Sequence, residues 1–142
     1  ILCGGGFAVA SGFGASGLGK WIGDKLTGVA GWPLWLMVLV VCLSVTFLTE
    51  LTSNTATTTM ILPILGLSAV AVNIHPLLFM VPATLAASFA FMLPVATPPN
   101  AIVFGSGWVG VPQMSRAGFA LNFIGAGIVT GTVLLLVNAL FI

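Results

Sequence analysis

A strongly polar patch interrupts a long apolar stretch near the middle of the chain. Uncharged apolar runs lie on both sides of it, over 32–49 and 60–72. Hydroxyl and amide side chains compete for the hydrogen bonds of a helix, so the patch predicts an interruption between two helical segments. The alternative is that these side chains join neighbouring helices by hydrogen bonds. The patch reads Glu50-Leu51-Thr52-Ser53-Asn54-Thr55-Ala56-Thr57-Thr58-Thr59.

A proline run interrupts the next apolar stretch, over 77–104. Proline lacks the backbone N–H donor and clashes with the preceding helical turn, so a helix over these residues is predicted to break. A plain loop between two membrane spans is the alternative. The run reads Pro94-Val95-Ala96-Thr97-Pro98-Pro99-Asn100.

Each interruption predicts two half-helices whose free ends meet inside the membrane. The first halves, ending near 49–52 and 95–97, would expose free carbonyl groups, and the second halves, beginning near Asn54 and Asn100, would expose free N–H groups. Carbonyl ends favour a small cation, whereas N–H ends favour an anion. Paired broken helices of this kind form the midplane substrate and ion sites of secondary transporters. The pattern therefore predicts a transporter.

The composition requires lipid as the solvent for most of the chain. Hydrophobic residues make up 59% of the 142 residues and charged residues 4%, against about 25% charged residues in soluble domains. The net charge of +1 excludes an electrostatic case for nucleic-acid binding. The charged residues are Lys20, Asp24, Lys25, Glu50 and Arg116.

No Lys or Arg lies near either interruption in the sequence. An anion bound there would meet only hydroxyls, amides and helix dipoles, and burying its charge alone would be costly. A cation bound beside it would offset that cost, so the inventory favours anion–cation symport. Glu50 is either a functional intramembrane carboxylate or a structural hydrogen-bond hub, and the sequence leaves both open. His75, followed by Pro76, is interpreted as an exposed loop histidine.

The two ends of the chain complete the predicted organisation. Residues 1–11 have the composition of the end of a membrane span, and the chain is interpreted as part of a longer polypeptide. Residues 12–31 favour a short interfacial helix, with Trp21 and Trp32 as headgroup-level anchors; an ordinary polar loop is the alternative. Residues 117–142 are uncharged and long enough to span. Within them, Gly127-x-x-x-Gly131 could admit a neighbouring helix.

Three segments of the chain resemble the divalent anion/sodium symporter family. Residues 49–56, with Ser53-Asn54-Thr55 at their centre, resemble the second signature motif of that family. Residues 91–104, from Phe91-Met92-Leu93-Pro94 to Phe104, resemble its other hallmark almost letter for letter, and Gly4-Gly5-Gly6-Phe7-Ala8 is also similar. The resemblance runs from about Gly4 to the end, and is greater to the sodium-coupled dicarboxylate and citrate carriers than to the sulfate branch.

The resemblance implies an all-α integral membrane fold in which this chain is the second of two inverted repeats. Residues 1–31 would be the end of a scaffold span and an interfacial arm helix. Residues 32–110 would belong to a transport domain, with a re-entrant hairpin over 32–75 and a broken transmembrane helix over 77–107. Residues 111–142 would be a connection and the last transmembrane helix. The first repeat of the parent chain would complete the site, in a multi-pass homodimer of the plasma or inner membrane.

The resemblance also implies a function and a set of site residues. The function is sodium-coupled symport of small di- and tricarboxylates such as succinate, malate and citrate, by an elevator-type movement, with no enzymatic activity. Sodium is the coupling ion, and no organic cofactor is implied. Family members often carry a small residue such as Ala at position 52, a change that a backbone carbonyl ligand would survive. The implied substrate-binding residues are Ser53, Asn54, Thr55, Thr97 and Pro98, and the implied sodium ligands are Thr49, Thr52, Asn54, Ala96 and Pro98.

Two rival functions remain open at this point, besides a non-transporting packing or assembly fragment that would tolerate Asn54→Ala and Pro98→Ala. One is a proton-coupled or sodium-independent anion carrier or exchanger of the same wider group, with Glu50 as the proton site. The other is a rhomboid-like intramembrane serine protease, since Gly14-Ala15-Ser16-Gly17 fits a Gly-x-Ser-Gly pattern. His75 would be the partner of Ser16, and the pair would have to lie within hydrogen-bond reach inside the bilayer.

Overall fold

The computed structural model describes residues 12, 15, 16 and 31–141, with side chains as far as Leu136. This part of the chain is all-α, as predicted. The predicted end of a span over 1–11 and nearly all of the predicted interfacial helix lie outside the described residues. The helices are α1 (Leu34–Thr49), α2 (Asn54–Ala71), α3 (Leu77–Ala86), α4 (Pro98–Gly105) and α5 (Val111–Phe141).

The helices differ in whether they are long enough to cross a membrane. Within the described residues, α2 and the stretch Val111–Leu136 of α5 are long and apolar enough to do so. The apolar helices α1 and α3 have 16 and 10 residues. At about 1.5 Å of rise per residue they reach roughly 24 and 15 Å, short of a hydrocarbon core of about 30 Å. Both are shorter than a full membrane span, whereas α2, the second arm of the predicted re-entrant hairpin, is long enough for one, so the hairpin stays a prediction.

A four-residue turn, here called the first break (residues 50–53), separates α1 from α2. The turn ends at Ser53, whose extended backbone and side chain cap the start of α2. At its other end α2 stops before Asn73, which has a left-handed φ of 56°. Asn tolerates this conformation better than other non-glycine residues. The chain then turns into α3, which begins directly after Pro76.

A longer non-helical segment, here called the second break (residues 87–97), separates α3 from α4. The predicted end of the first half-helix, near 95–97, is wrong, because α3 ends at Ala86. Pro94 therefore lies inside the break and does not start it. The chain leaves the helix earlier because side chains distant in sequence satisfy the backbone groups of residues 86–93, as described in the next section. The start of the second half-helix, at Pro98, agrees with the prediction.

The core forms where α1 packs against α3 and α5. Lipid gives no hydrophobic driving force between helices, so close packing of small residues and interhelical hydrogen bonds hold such contacts together. Alanine supplies five of the twelve buried core residues. These core residues are Met37, Val38, Cys42 and Val45 of α1, Ala69 of α2, Phe79, Ala83, Ala86 and Ala87 in or next to α3, and Ala126, Val129 and Val133 of α5.

Polar side chains on the buried face of α1 bind carbonyl groups around the end of α3. The donors recur at helical spacing, so they share one face. The carbonyl of Ala87 has no other partner among the described hydrogen bonds, whereas that of Ala86 also accepts the N–H of Phe89. Cys42, Thr46 and Thr49 donate to the carbonyl oxygens of Pro82, Ala86 and Ala87, at 3.9, 3.3 and 3.1 Å.

Candidate functional site

The carboxylate of Glu50 joins the two breaks. Glu50 is only 3% exposed. Its Oε1 accepts the N–H of Phe91 at 2.7 Å, the N–H of Met92 at 3.0 Å and the side-chain Nδ2–H of Asn122 at 2.8 Å. Its Oε2 accepts the N–H of Met92 at 3.1 Å and that of Leu93 at 3.2 Å. Glu50 is thus the hydrogen-bond hub that the sequence left as one of two possibilities.

Asn122 of α5 is the member of this hub that the sequence analysis missed. It is fully buried, and its Oδ1 has no hydrogen-bond partner among the described residues. Leaving a buried acceptor unpaired costs about 1–3 kcal/mol. The signal was an amide side chain inside an uncharged and mostly apolar span, which by itself indicates a polar contact inside the protein.

Asn100 holds the carbonyl side of the second break. Its Nδ2 donates to the carbonyl oxygens of Ala90 at 2.8 Å and Leu93 at 3.0 Å. The N–H of Ala96 also donates to the carbonyl of Leu93, at 3.2 Å. Together with Glu50, these bonds satisfy non-helical backbone that could not persist unpaired at membrane depth.

The start of α4 offers no free N–H group in its first turn. Pro98 and Pro99 have none, the N–H of Asn100 donates to the side chain of Thr97 at 3.5 Å, and that of Ala101 donates to the carbonyl of Thr97. The predicted anion-binding N–H groups near Asn100 are therefore absent, because prolines occupy the positions that would supply them. In the described part of the chain no hydrogen bond reaches the carbonyl oxygens of Val95 and Ala96.

The first break differs, because free N–H groups do remain there. Ser53 accepts the N–H of Ala56 at 3.1 Å, and its carbonyl accepts that of Thr57. Among the described hydrogen bonds none involves the N–H of Asn54 or Thr55. Thr55 is exposed and Asn54 half-buried. The N-terminus of α2 therefore presents two free donors at an accessible surface.

Thr49 and Asn54, two of the implied sodium ligands, lie together at the first break. The hydroxyl of Thr49 is 2.7 Å from Oδ1 of Asn54 and 3.1 Å from the carbonyl oxygen of Ala87. A hydroxyl has one hydrogen, so it can donate fully to only one of these two oxygens at a time. Three oxygens thus meet around a single proton, between the first break and the start of the second.

No described hydrogen bond joins the other implied sodium ligands, Thr52, Ala96 and Pro98, to Thr49 or Asn54. The hydroxyl of Thr52 donates to the carbonyl of Leu48 at 3.0 Å and pairs with that of Thr57. Only its carbonyl oxygen is therefore open, as a backbone ligand at this position requires. Ala96 is half-buried and Pro98 exposed. The described hydrogen bonds join the two breaks through Glu50 and Thr49, and the full ligand set stays a prediction.

The residues of the protease interpretation lie in exposed turns. His75 is exposed, as predicted, and its Nδ1 accepts the N–H of Leu77 at 3.3 Å, at the start of α3. Ser16 is exposed, and its N–H donates to the carbonyl of Gly12. Neither has the membrane-buried setting that a rhomboid-like site requires.

Comparison with known proteins identifies what the chain is similar to. The model of the sodium:sulfate symporter transmembrane region matches residues 1–142. A sodium-dependent dicarboxylate transporter of Staphylococcus saprophyticus is 53% identical over 96% of this chain and 26% of its own length. Solute carrier family 13 member 2 of the mouse is 58% identical over 92% of this chain and 22% of its own. Human solute carrier family 13 member 1 is 52% identical over 91% of this chain and 22% of its own length.

The chain therefore spans about a quarter of the length of these relatives. They are transporters and not enzymes, so the interpretation as a rhomboid-like protease is wrong. They also indicate an integral, multi-pass membrane protein, as predicted.

Proposed function

This chain belongs to the sodium:sulfate symporter family, and we propose that the complete protein carries out sodium-coupled symport of small di- and tricarboxylates. Within it, the first break binds a carboxylate of the substrate, and the two breaks together bind sodium. The observation that carries the proposal is the pair of free N–H groups at Asn54 and Thr55.

The carboxylate site lies at the N-terminus of α2. The free N–H groups of Asn54 and Thr55 and the positive end of the helix dipole suit an anionic oxygen. The hydroxyls of Ser53 and Thr55 are exposed beside them and can donate as well. Thr97 and Pro98 complete the predicted contacts from the second break. Thr97 offers a hydroxyl donor and Pro98 an apolar wall, because α4 has no free N–H in its first turn.

The sodium site lies where oxygen atoms of both breaks converge. Sodium, like other hard cations, takes oxygen ligands, and unwound backbone carbonyls coordinate it in carriers with broken helices. The hydroxyl of Thr49 and the Oδ1 of Asn54 are already adjacent, at 2.7 Å. The open carbonyls of Thr52 and Ala96 and the segment leading into Pro98 supply the remaining oxygens.

Coupling follows from charge. The residues of the two breaks include no Lys or Arg, and Arg116, near the start of α5, is exposed. The anion would be costly to hold there alone, and a cation bound beside it offsets its charge. Cooperative binding of the cation and the anion is the expected result.

The remaining parts of the proposal concern the whole transporter. They are a re-entrant hairpin over 32–75, an inverted first repeat with a second sodium site, a homodimer and an elevator-type movement. All are features of the family that this chain resembles. The length of α1, too short to cross the bilayer, supports the first of them, whereas α2 is long enough to cross.

The test is uptake of labelled succinate, citrate and sulfate by the complete protein in proteoliposomes, with sodium or potassium outside. We expect uptake of succinate or citrate only with sodium, and weak competition by sulfate. Protein-free liposomes give the background. Uptake that is equal in sodium and potassium would favour the proton-coupled alternative. Sulfate uptake without carboxylate uptake would contradict the substrate assignment.

A further inference from the structure

Gly118 brings the backbone of α5 unusually close to the second break. A Cβ atom at this position would lie 2.5 Å from the carbonyl carbon and oxygen of Phe91 and 2.6 Å from the Cα of Met92. Contacts this short with backbone atoms cannot be relieved by a side-chain rotation. Any larger residue at 118 would therefore displace the non-helical segment or the helix itself.

Asn122 lies one turn further along the same face of α5. It donates to Oε1 of Glu50, the oxygen that also accepts the N–H groups of Phe91 and Met92. A leucine at 122 would fill a similar volume without leaving a buried acceptor unpaired. The unpaired Oδ1 costs stability, so the bond that Asn122 makes to Glu50 is the feature that accounts for an amide here.

We propose that Gly118 and Asn122 are positioning residues for the sodium site, which makes the last helix part of the transport machinery. Gly118 sets the distance of the backbone at 91–92, and Asn122 fixes the carboxylate that holds residues 91–93. The segment that they fix continues directly into the open carbonyls of Val95 and Ala96. The inference rests on the proposed function for its sodium readout.

We expect changes at Gly118 and Asn122 to weaken the binding of sodium more than the binding of the carboxylate. The free N–H groups of Asn54 and Thr55 belong to α2, and neither Gly118 nor Asn122 contacts that helix in the described hydrogen bonds and close contacts. Moving the second break therefore displaces carbonyl oxygens while leaving the N–H donors in place. General loosening of the fold would instead weaken both ligands together.

The chain offers a matched control on the same helix. A Cβ at Gly127 would meet no atom within 4 Å. Gly127→Ala makes the same chemical change as Gly118→Ala, and gains the same helix propensity, without touching the second break. Asn122→Leu is the second variant, because it removes the bond to Glu50 with no steric clash and stays informative if Gly118→Ala does not fold.

The experiment measures succinate uptake by the complete protein in proteoliposomes, as a function of sodium and of succinate. We expect Gly118→Ala and Asn122→Leu to raise the sodium half-saturation concentration roughly tenfold, the effect of losing one hydrogen bond to a charged group. At saturating sodium, the half-saturation concentration for succinate should change less than about twofold, and Gly127→Ala should match wild type. Variants that match Gly127→Ala would overturn the proposal, and so would equal losses for sodium and succinate.

Amide hydrogen exchange tests the positioning directly, even if the proposed function fails. In detergent, the N–H groups of residues 91–93 should exchange at least about tenfold faster in Asn122→Leu than in wild type, with the helix α2 unchanged. Exchange at the wild-type rate would overturn the inference by itself. Wild-type protein without any sodium-dependent uptake would instead contradict the proposed function and leave this exchange result to decide the positioning role.

Discussion

The two breaks satisfy their backbones in opposite ways. The first break is short, and the residues that shape it are its own neighbours: Ser53 caps α2 and Leu48 accepts from Thr52. The second break is long, and most of its side-chain partners come from elsewhere in the sequence: Thr49 and Glu50 precede it by about forty residues, whereas Asn100 lies just after it. One break is thus locally encoded, and the other depends on tertiary contacts.

The difference decides what each break can bind. The first break keeps free N–H groups at Asn54 and Thr55, so it can receive an anion. At the second break, the prolines and Thr97 leave no N–H free in the first turn of α4, while the carbonyls of Val95 and Ala96 stay open. That break can contribute to a cation site, but its helix start cannot bind a carboxylate through backbone donors.

The largest expected effect comes from removing the carboxylate that joins the breaks. Glu50→Leu leaves three part-buried N–H groups and the buried amide of Asn122 without their acceptor, and should lower the free energy of unfolding by about 3–5 kcal/mol. The fraction of protein that stays monodisperse in detergent after heating measures this. The neighbouring change Leu51→Ala, at a residue 76% exposed, should have little effect. Equal thermal stability for the two variants would contradict the hub.

A smaller effect is expected for two threonines on α1, which should differ in their effect on sodium binding. Thr46→Val and Thr49→Val each remove one hydroxyl that binds a carbonyl near the end of α3. Each should lower stability by only about 0.6 kcal/mol. Thr49 also adjoins Oδ1 of Asn54, so its loss should raise the sodium half-saturation concentration by roughly tenfold. Thr46→Val is the control, and equal sodium constants for the two valine variants would remove Thr49 from the site.

The sequence predicted the first break to within a residue or two, because its signals are local. A cap of Ser53 followed by Asn54 and Thr55 is a helix start whatever surrounds it. The same holds for α4, where Thr97 and the prolines mark the start. The all-α class, the membrane setting and the exposed His75 also followed from composition and pattern.

The end of α3 could not be predicted in this way. Residues 77–93 form one apolar run, and the proline within it, Pro82, lies inside α3 and does not end the helix. The helix ends at Ala86 because Thr46, Thr49 and Glu50 satisfy the backbone beyond it, and these partners are apparent only in the folded structure. The role of Asn122 was hidden for the same reason. Local pattern identifies which residues are polar in a span, but not which backbone groups they bind.

The most direct test of this account compares Asn54→Ala with Asn100→Ala in the complete protein. Both changes shorten an asparagine at the start of a half-helix, one at each break. We measure thermal stability in detergent and sodium-dependent succinate uptake per folded molecule.

Asn54→Ala should keep its stability within about 0.5 kcal/mol and lose uptake. Asn100→Ala should lose about 2 kcal/mol of stability, because the carbonyls of Ala90 and Leu93 lose their donor, and should retain more uptake than Asn54→Ala. The reverse result, with Asn54→Ala unstable and Asn100→Ala stable but inactive, would contradict the division of roles between the two breaks.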